Sequence, residues 1–382
     1  MTGGEPVVRV GFVPLTDSAP LIVAAALQFD RRHGIRLSLA RETSWAAIRD
    51  KLFVGTLDAA QLLYGLAYGM HLGIGMPATA MCVAMTLNRN GQAITLSRRL
   101  AAAGVTDGAS LAAHLRDGDV RLRFADTFPL GTHALWLDYW LAAQGIHPYR
   151  DVGRVTVPPP HMAARLAAGD IDGYSAGEPW PARAVADGCG YTVTTSQAIW
   201  PDHPEKVLGM TRRYARTRPE HASALIAALL DAARWLETEA SPRELARLLA
   251  RAEYVGGAAT LIAERLAGRY RDGLGASWQD AHAVRFFDRG RVCFPYLSDA
   301  TWFLTQFVRW GRLAPDVDYA AVVADVNDLA LYGAAAARCA VPLPAQPWRS
   351  AVLCDGRAWD GSEPARYARG FALTQPGEIA PA

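Results

Sequence analysis

Lysine is almost missing from this chain. Of 39 basic side chains only Lys51 and Lys206 are lysines. Arginine is the default cation, so a position that keeps lysine is one where a compact point charge serves better than a planar fork. Cysteine is sparse too. Cys82, Cys189, Cys293, Cys339 and Cys354 are odd in number, widely spaced and without a C-x-x-C pair. That pattern excludes a disulfide framework and a cysteine zinc site, and it fits a reducing compartment. Charge of one sign is not in excess: the formal net charge is +2. It gives no reason to expect nucleic acid or an anionic membrane as a direct partner. Long apolar runs are absent as well. Residues 1–6 hold no Lys or Arg, and the apolar run 21–27 is too short to span a bilayer. The expectation is a soluble, cytoplasmic chain with no export signal and no membrane insertion.

Catalytic signatures are equally scarce. The nine histidines show no H-E-x-x-H or paired spacing. Ser175-Ala176-Gly177-Glu178 lacks the glycine that a nucleophile elbow places before its serine, and Gly73-Ile74-Gly75 does not continue as a phosphate loop because residue 78 is alanine. Cys82 lies in the apolar run Ala80-Met81-Cys82-Val83-Ala84, the setting of a buried, inert thiol. These absences point to a binding protein with no cofactor and no metal, not to an enzyme.

What is present is material for a large core. Apolar residues make up 51% of 382 and charged residues 20%, enough for two α/β lobes. The opening reads strand–helix–strand. Residues 7–12 are β-rich, Ser18 and Pro20 start a helix that Gly34 stops, and residues 35–40 alternate with period two. Ser44 caps a helix ending near Gly55, and residues 57–63 form a further strand. An echo follows: Lys51-Leu52-Phe53-Val54-Gly55-Thr56-Leu57-Asp58-Ala59 resembles Arg165-Leu166-Ala167-Ala168-Gly169-Asp170-Ile171-Asp172-Gly173. Both read as helix end, glycine stop, then apolar-Asp-small entering a strand, as two related lobes would. In the second lobe, strands are expected at 121–125 and 154–157, with helices over 132–144 and from His161. Residues 217–285 turn Ala-, Leu- and Arg-rich with helical spacing. The proline-bearing tail beyond Pro342 reads as irregular, and the C-terminal half is expected to pack on the first lobe.

Several polar groups stand in turns or at helix starts. Trp45 follows Ser44 and is either a packing tryptophan or a donor. Asn88-Arg89-Asn90-Gly91-Gln92 carries the Asn-Gly signal of a hairpin, with Gln92 an edge residue or a ligand. Gly131-Thr132-His133 places His133 in the first turn of a helix, where free N–H groups and the dipole favour anions. Gly177-Glu178-Pro179-Trp180 reads as a strand-to-helix turn with proline at its first position. His203-Pro204-Glu205-Lys206 holds the second lysine, which a solvated loop would also explain.

Together these segments resemble the nitrate/bicarbonate-binding proteins of ABC transporters, the NrtA and CmpA group. The quoted stretches are residues 42–52, 87–94, 131–133, 177–180 and 203–206. Later landmarks agree: Phe294-Pro295, Ser298-Asp299-Ala300, residues 302–306 and Arg309-Trp310-Gly311. The resemblance spans residues 7 to 375 with the motifs in order. It implies an α/β, periplasmic-binding-protein type II clamp, with lobe I at 1–98 and 199–382 and lobe II at 99–198. It implies that Trp45, Gln92, His133, Gly177 and Lys206 hold the anion in the cleft between lobes, Lys206 supplying the charge. The bicarbonate branch has an acidic residue at the lysine position and uses calcium, so Lys206 favours nitrate or nitrite. The run Gln61-Leu62-Leu63-Tyr64-Gly65-Leu66-Ala67 departs from the family pattern, which carries prolines there, and leaves the pocket's shape open.

With no export signal read, the expectation is a cytoplasmic nitrate/nitrite sensor of the NasS type. Such a sensor holds an RNA-binding antitermination regulator of the NasT type when empty and releases it when the anion binds. The alternatives are a transport receptor with the same pocket, a bicarbonate or sulfonate binder, or an enzyme on this fold resembling thiamine-pyrimidine synthases or desulfinases.

Overall fold

The computed structural model describes residues 4–118, 121–372 and 374. Residues 1–3 and 375–382, the outer ends of the expected lobe I segments, lie outside that set. Ten strands build two five-stranded sheets. They are β1 (Val7–Phe12), β2 (Arg36–Arg41), β3 (Ala59–Leu63), β4 (Met81–Thr86), β5 (Gln92–Ser97), β6 (Arg123–Asp126), β7 (Gly153–Thr156), β8 (Gly173–Gly177), β9 (Gly190–Thr195) and β10 (Lys206–Thr211).

The first sheet runs β2-β1-β3-β10-β4 and the second β7-β6-β8-β5-β9. In the first, β2, β1 and β3 are parallel while β10 runs antiparallel to both β3 and β4. The second repeats this: β7, β6 and β8 are parallel, and β5 is antiparallel to β8 and β9. Each sheet thus takes one inner strand from chain that has just crossed between lobes. The inner strands β3, β5 and β8 and the edge strand β4 are buried along their whole length, as strands covered on both faces must be.

The sequence echo is a structural repeat. The helices Trp45–Phe53 and Met162–Ala168 are followed by Gly55 and Gly169, at φ +76° and +78°, a left-handed stop that glycine adopts without a Cβ penalty. The Asp58 carboxylate then accepts from the Arg9 backbone N–H at 2.8 Å, and Asp172 accepts from the Arg123 N–H at 2.8 Å. Return bonds run from Asp58 N to the Arg9 carbonyl and from Asp172 N to the Arg123 carbonyl, at 2.9 and 2.8 Å. Each aspartate pins the entry of the third strand of its lobe to the first.

Two expectations change on inspection of the crossings. Asn90 and Gly91 do take positive φ, +60° and +93°, but β4 and β5 belong to different sheets. The Asn-Gly turn carries the chain from one lobe to the other, not around a hairpin. Residues 92–97, expected within lobe I, accordingly pair in the second sheet. The chain returns between Ile199 and Lys206, and the two crossings touch: Asn90 N donates to the His203 carbonyl at 3.3 Å and Lys206 N to Asn88 Oδ1 at 3.2 Å.

The C-terminal helices cover the first lobe. Pro219–Thr238 packs on Ala19–Ala26 and Leu329–Arg338, and Leu297–Arg309 lies on Tyr64–Leu72. Leu297–Arg309 also reaches the second lobe. Its Trp302 stands 4.9 Å from Trp136, centroid to centroid, and 5.2 Å from Trp200. This buried aromatic cluster ties the lobes together behind the crossings. The tail is less irregular than its prolines suggest: Ala351–Val352 pairs with Ala358–Trp359, and Pro364–Arg369 is helical.

Candidate functional site

The five residues expected to hold the anion come from five separate places in the chain. Trp45 opens a helix whose Ser44 cap accepts from Ala47 N at 3.2 Å. His133 sits in the first turn of Thr132–Ala143. Gln92 begins β5, Gly177 ends β8, and the two are register partners. Lys206 begins β10. The helix Trp180–Ala186 that follows Gly177 is capped by Pro179 and has Pro181 in its first turn, so Pro179 stands one position earlier than expected.

The structure brings all five residues together in a closed circuit. The Trp45 and His133 rings are 6.4 Å apart, and Lys206 Nζ lies 5.6 Å from the Trp45 ring centroid. Lys206 Nζ donates to Asp17 Oδ2 at 2.8 Å. That oxygen is 3.5 Å from where a Cβ on Gly177 would stand. Gln92, paired with Gly177, donates from Nε2 to Thr132 Oγ1 at 3.4 Å, beside His133. Trp45, Gln92, His133 and Lys206 have no exposed surface. The lysine that a solvated loop would explain is in fact buried.

Among the described residues, Trp45 Nε1, His133 Nε2 and Gln92 Oε1 are buried without a hydrogen-bond partner, His133 Nε2 lying 3.9 Å from Glu205 Oε1. A buried polar group left unsatisfied costs about 1–3 kcal/mol. Three such atoms on side chains grouped about one lysine are the chemistry that suits a small polar ligand. His133 is a neutral imidazole. Burial, then the charges of Lys206 and His203, hold it well below the ordinary histidine range. His133 Nδ1 shares a hydrogen bond with the Thr127 hydroxyl; in the tautomer in which that hydroxyl donates, the ring hydrogen sits on Nε2. The Gln92 amide has a second N–H besides the one on Thr132.

The expectation that Lys206 is the spare charge of the site needs correction. Two carboxylates already hold it, Asp17 at 2.8 Å and Glu205 at 2.5 Å. Burial works against the ammonium, but these partners outweigh it and keep Lys206 above the usual lysine range. Glu205 also accepts from Thr132 Oγ1 at 2.6 Å and Trp136 Nε1 at 3.2 Å, which couples the site to the aromatic cluster. Asp17 accepts from Gln61 Nε2 at 2.6 Å, and Gln61 Oε1 accepts from Val13 N at 3.1 Å. Gln61 opens the run that departs from the family pattern, so that departure borders the site. The far wall is fixed by Thr16 N on the Glu178 carbonyl at 2.8 Å and by Arg265 Nε on the Glu178 carboxylate at 2.8 Å.

Sequence reading missed Asp17, Gln61, Thr127, Thr132 and Glu205 as site groups. Thr132 and Glu205 sat inside quoted motifs. Asp17, in the turn after β1, had no motif to mark it. Cys82 is buried, and burial pushes its thiol up to about 12, unsuited to nucleophilic work. Among the described residues, His33, Asp231 and Cys339 bring donor atoms within 4.8 Å of one another. Asp231 there is already paired with His33 and Arg234, and burial raises the Cys339 thiol to about 11.

Two repeated α/β lobes, crossed twice and closed over an unsatisfied polar site, define a two-lobed ligand-binding protein, and comparison with known proteins narrows the class. The family model described as NMT1-like matches residues 2–250. The nitrate/nitrite binding protein NrtA of Nostoc sp. PCC 7120 is 35% identical over 379 residues, covering 96% of this chain and 85% of that protein. The bicarbonate transport ATP-binding protein CmpC of Synechococcus elongatus is 34% identical over 380 residues, covering 97% of this chain, which spans 56% of that protein. The crystal structure of the periplasmic nitrate-binding protein NrtA from Synechocystis PCC 6803 superposes with a TM-score of 0.91 at 32% identity, covering 96% of this chain and 98% of that one. The chain belongs to the NrtA/CmpA-like substrate-binding protein family, with the periplasmic-binding-protein fold.

Proposed function

We propose that this chain is the substrate-binding receptor of a nitrate or nitrite transporter, holding the anion between its lobes. One observation carries this reading: Trp45 Nε1 and His133 Nε2, buried without hydrogen-bond partners, belong to side chains grouped with the buried Lys206, and the Gln92 amide keeps a second N–H beyond the one on Thr132. Nitrate is a planar monoanion whose oxygens accept in-plane donors. Hydrogen bonds to a charged group contribute about 1.5–3 kcal/mol each. Three or four of them, less the cost of closure, reach roughly the −8 kcal/mol of micromolar binding. Of the relatives described above, two are named as nitrate-binding proteins, one of them periplasmic, and one as a bicarbonate transport protein, which favours the receptor over the sensor. A NasT-type regulator in place of a transporter would use the same pocket and shift the same open–closed equilibrium.

Bicarbonate is the second reading, and Gln92 Oε1 speaks for it. That atom is an unsatisfied acceptor, and bicarbonate has a hydroxyl to offer where nitrate has none. Titration calorimetry with nitrate, nitrite and bicarbonate, with and without calcium, separates the two. Micromolar nitrate or nitrite binding that is indifferent to calcium supports the proposal. Binding of bicarbonate alone, or binding only with calcium, overturns it.

A further inference from the structure

We propose that the anion does not enter the cleft alone: one proton from solvent is taken up with it, onto Asp17. This rests on the anion-pocket reading above and adds a charge rule to it.

Asp17, Glu205 and Lys206 are joined by contacts of 2.8 and 2.5 Å, and none is more than 2% exposed. With both carboxylates ionised and the ammonium charged, the cluster carries one net negative charge before any ligand arrives. His133 and His203 do not offset it, because burial holds both rings neutral, His203 down at about 3. A bound monoanion would bring the buried cluster to two net negative charges, an arrangement that buried sites avoid by neutralising a group. Adding one proton restores the charge state of the empty site.

The geometry selects Asp17 as the acceptor. Glu205 receives three hydrogen bonds, from Lys206, Thr132 and Trp136, so both of its oxygens are already engaged as acceptors. Asp17 receives two, from Lys206 and Gln61. It also lies on the ligand side, with Oδ2 3.5 Å from the Cβ position of Gly177. The charged and titratable groups facing it are Lys206 and Glu205; the neighbouring Glu178 carboxylate is taken by Arg265 at 2.8 Å. Burial, against the pull of Lys206, already raises Asp17 above the usual carboxylate range. Once protonated, Asp17 changes from an acceptor that repels the anion into an O–H donor.

The test is calorimetry of the whole chain with sodium nitrate at one pH in buffers of different ionisation enthalpy, repeated across pH. The expected slope of binding enthalpy against buffer enthalpy corresponds to one proton taken up. The Kd is expected to rise about tenfold per pH unit once Asp17 is ionised in the free protein. Asp17→Asn, which keeps the side chain's shape, is expected to bind with no proton uptake and a flat pH profile. Nitrate binding by the wild type without proton uptake overturns the proposal, whether or not the variant folds. Persistent uptake in Asp17→Asn also overturns it and moves the proton to another group, His133 first. If the wild type binds no nitrate, the anion-pocket reading falls and the proposal with it.

Discussion

Lys206 Nζ stands 2.8 Å from Asp17 Oδ2, both side chains essentially without exposed surface, across 189 residues of sequence. This contact joins the turn after the first strand to the strand by which the chain re-enters the first lobe. It makes Lys206 a structural counter-ion as well as a ligand candidate. Lys206→Met is therefore expected to leave Asp17 and Glu205 buried without their cation, at a cost of about 3–5 kcal/mol. Denaturant unfolding measures this. A loss below about 1 kcal/mol would show that the carboxylates are not held as described.

Gly177 is expected to matter for binding more than for folding. A methyl there would meet the Leu15 side chain at 3.2 Å and Asp17 at 3.5 Å, contacts that move one flexible side chain by a few tenths of an ångström. Gly177→Ala is expected to lose about 1 kcal/mol of stability and about tenfold in nitrate affinity, as a calorimetric titration beside a thermal melt will read.

Acid should destabilise the protein below the ordinary histidine range. His203 is held neutral by burial, down at about 3, with Nε2 on Ser196 Oγ at 2.8 Å and Nδ1 on the Pro204 carbonyl at 3.0 Å. Its folded value lies below the unfolded one. The stability it contributes is fully present above about pH 6.5 and is lost as pH falls toward 3. By pH 5 the loss from this one group is about 2 kcal/mol, and His133 acts in the same direction. Asp17, raised by burial, acts in the opposite direction: its contribution is fully present below the ordinary carboxylate range and is lost as pH rises to its raised folded value. Melting temperatures from pH 7.5 to 5 should fall for the wild type, and less steeply for His203→Gln.

The repeated aspartates predict a matched pair of effects. Asp58→Ala and Asp172→Ala each remove an acceptor from a backbone N–H at 2.8 Å, and each is expected to cost about 1 kcal/mol. Unfolding free energies that differ by more than about twofold would mean that the two lobes do not use these residues alike.

That repeat was legible in the sequence because it is local: a helix end, a glycine forced to positive φ and an aspartate three residues later carry it within nine residues. Trp45, Gln92, His133, Gly177 and Lys206 were legible only through motifs shared with a family, since nothing in their spacing brings five distant turns together. The roles of Asp17 and Glu205 were not legible. An acid gains its meaning from the charge it faces, and Asp17 faces one 189 positions away. The Asn-Gly turn misled for a related reason. Its backbone geometry is that of a tight turn, but whether the next strand folds back or crosses to another sheet depends on which neighbours remain unpaired.

The proposed function requires that the unsatisfied atoms around Lys206 hold the anion. The most direct measurement is the indole N–H spectrum of 15N-labelled protein during a nitrate titration, with Trp45 identified among the 11 tryptophans by Trp45→Phe. The account predicts that the Trp45 N–H resonance shifts and saturates at the concentration at which binding heat saturates. Nitrate binding with that resonance unmoved would place the anion elsewhere and contradict the account.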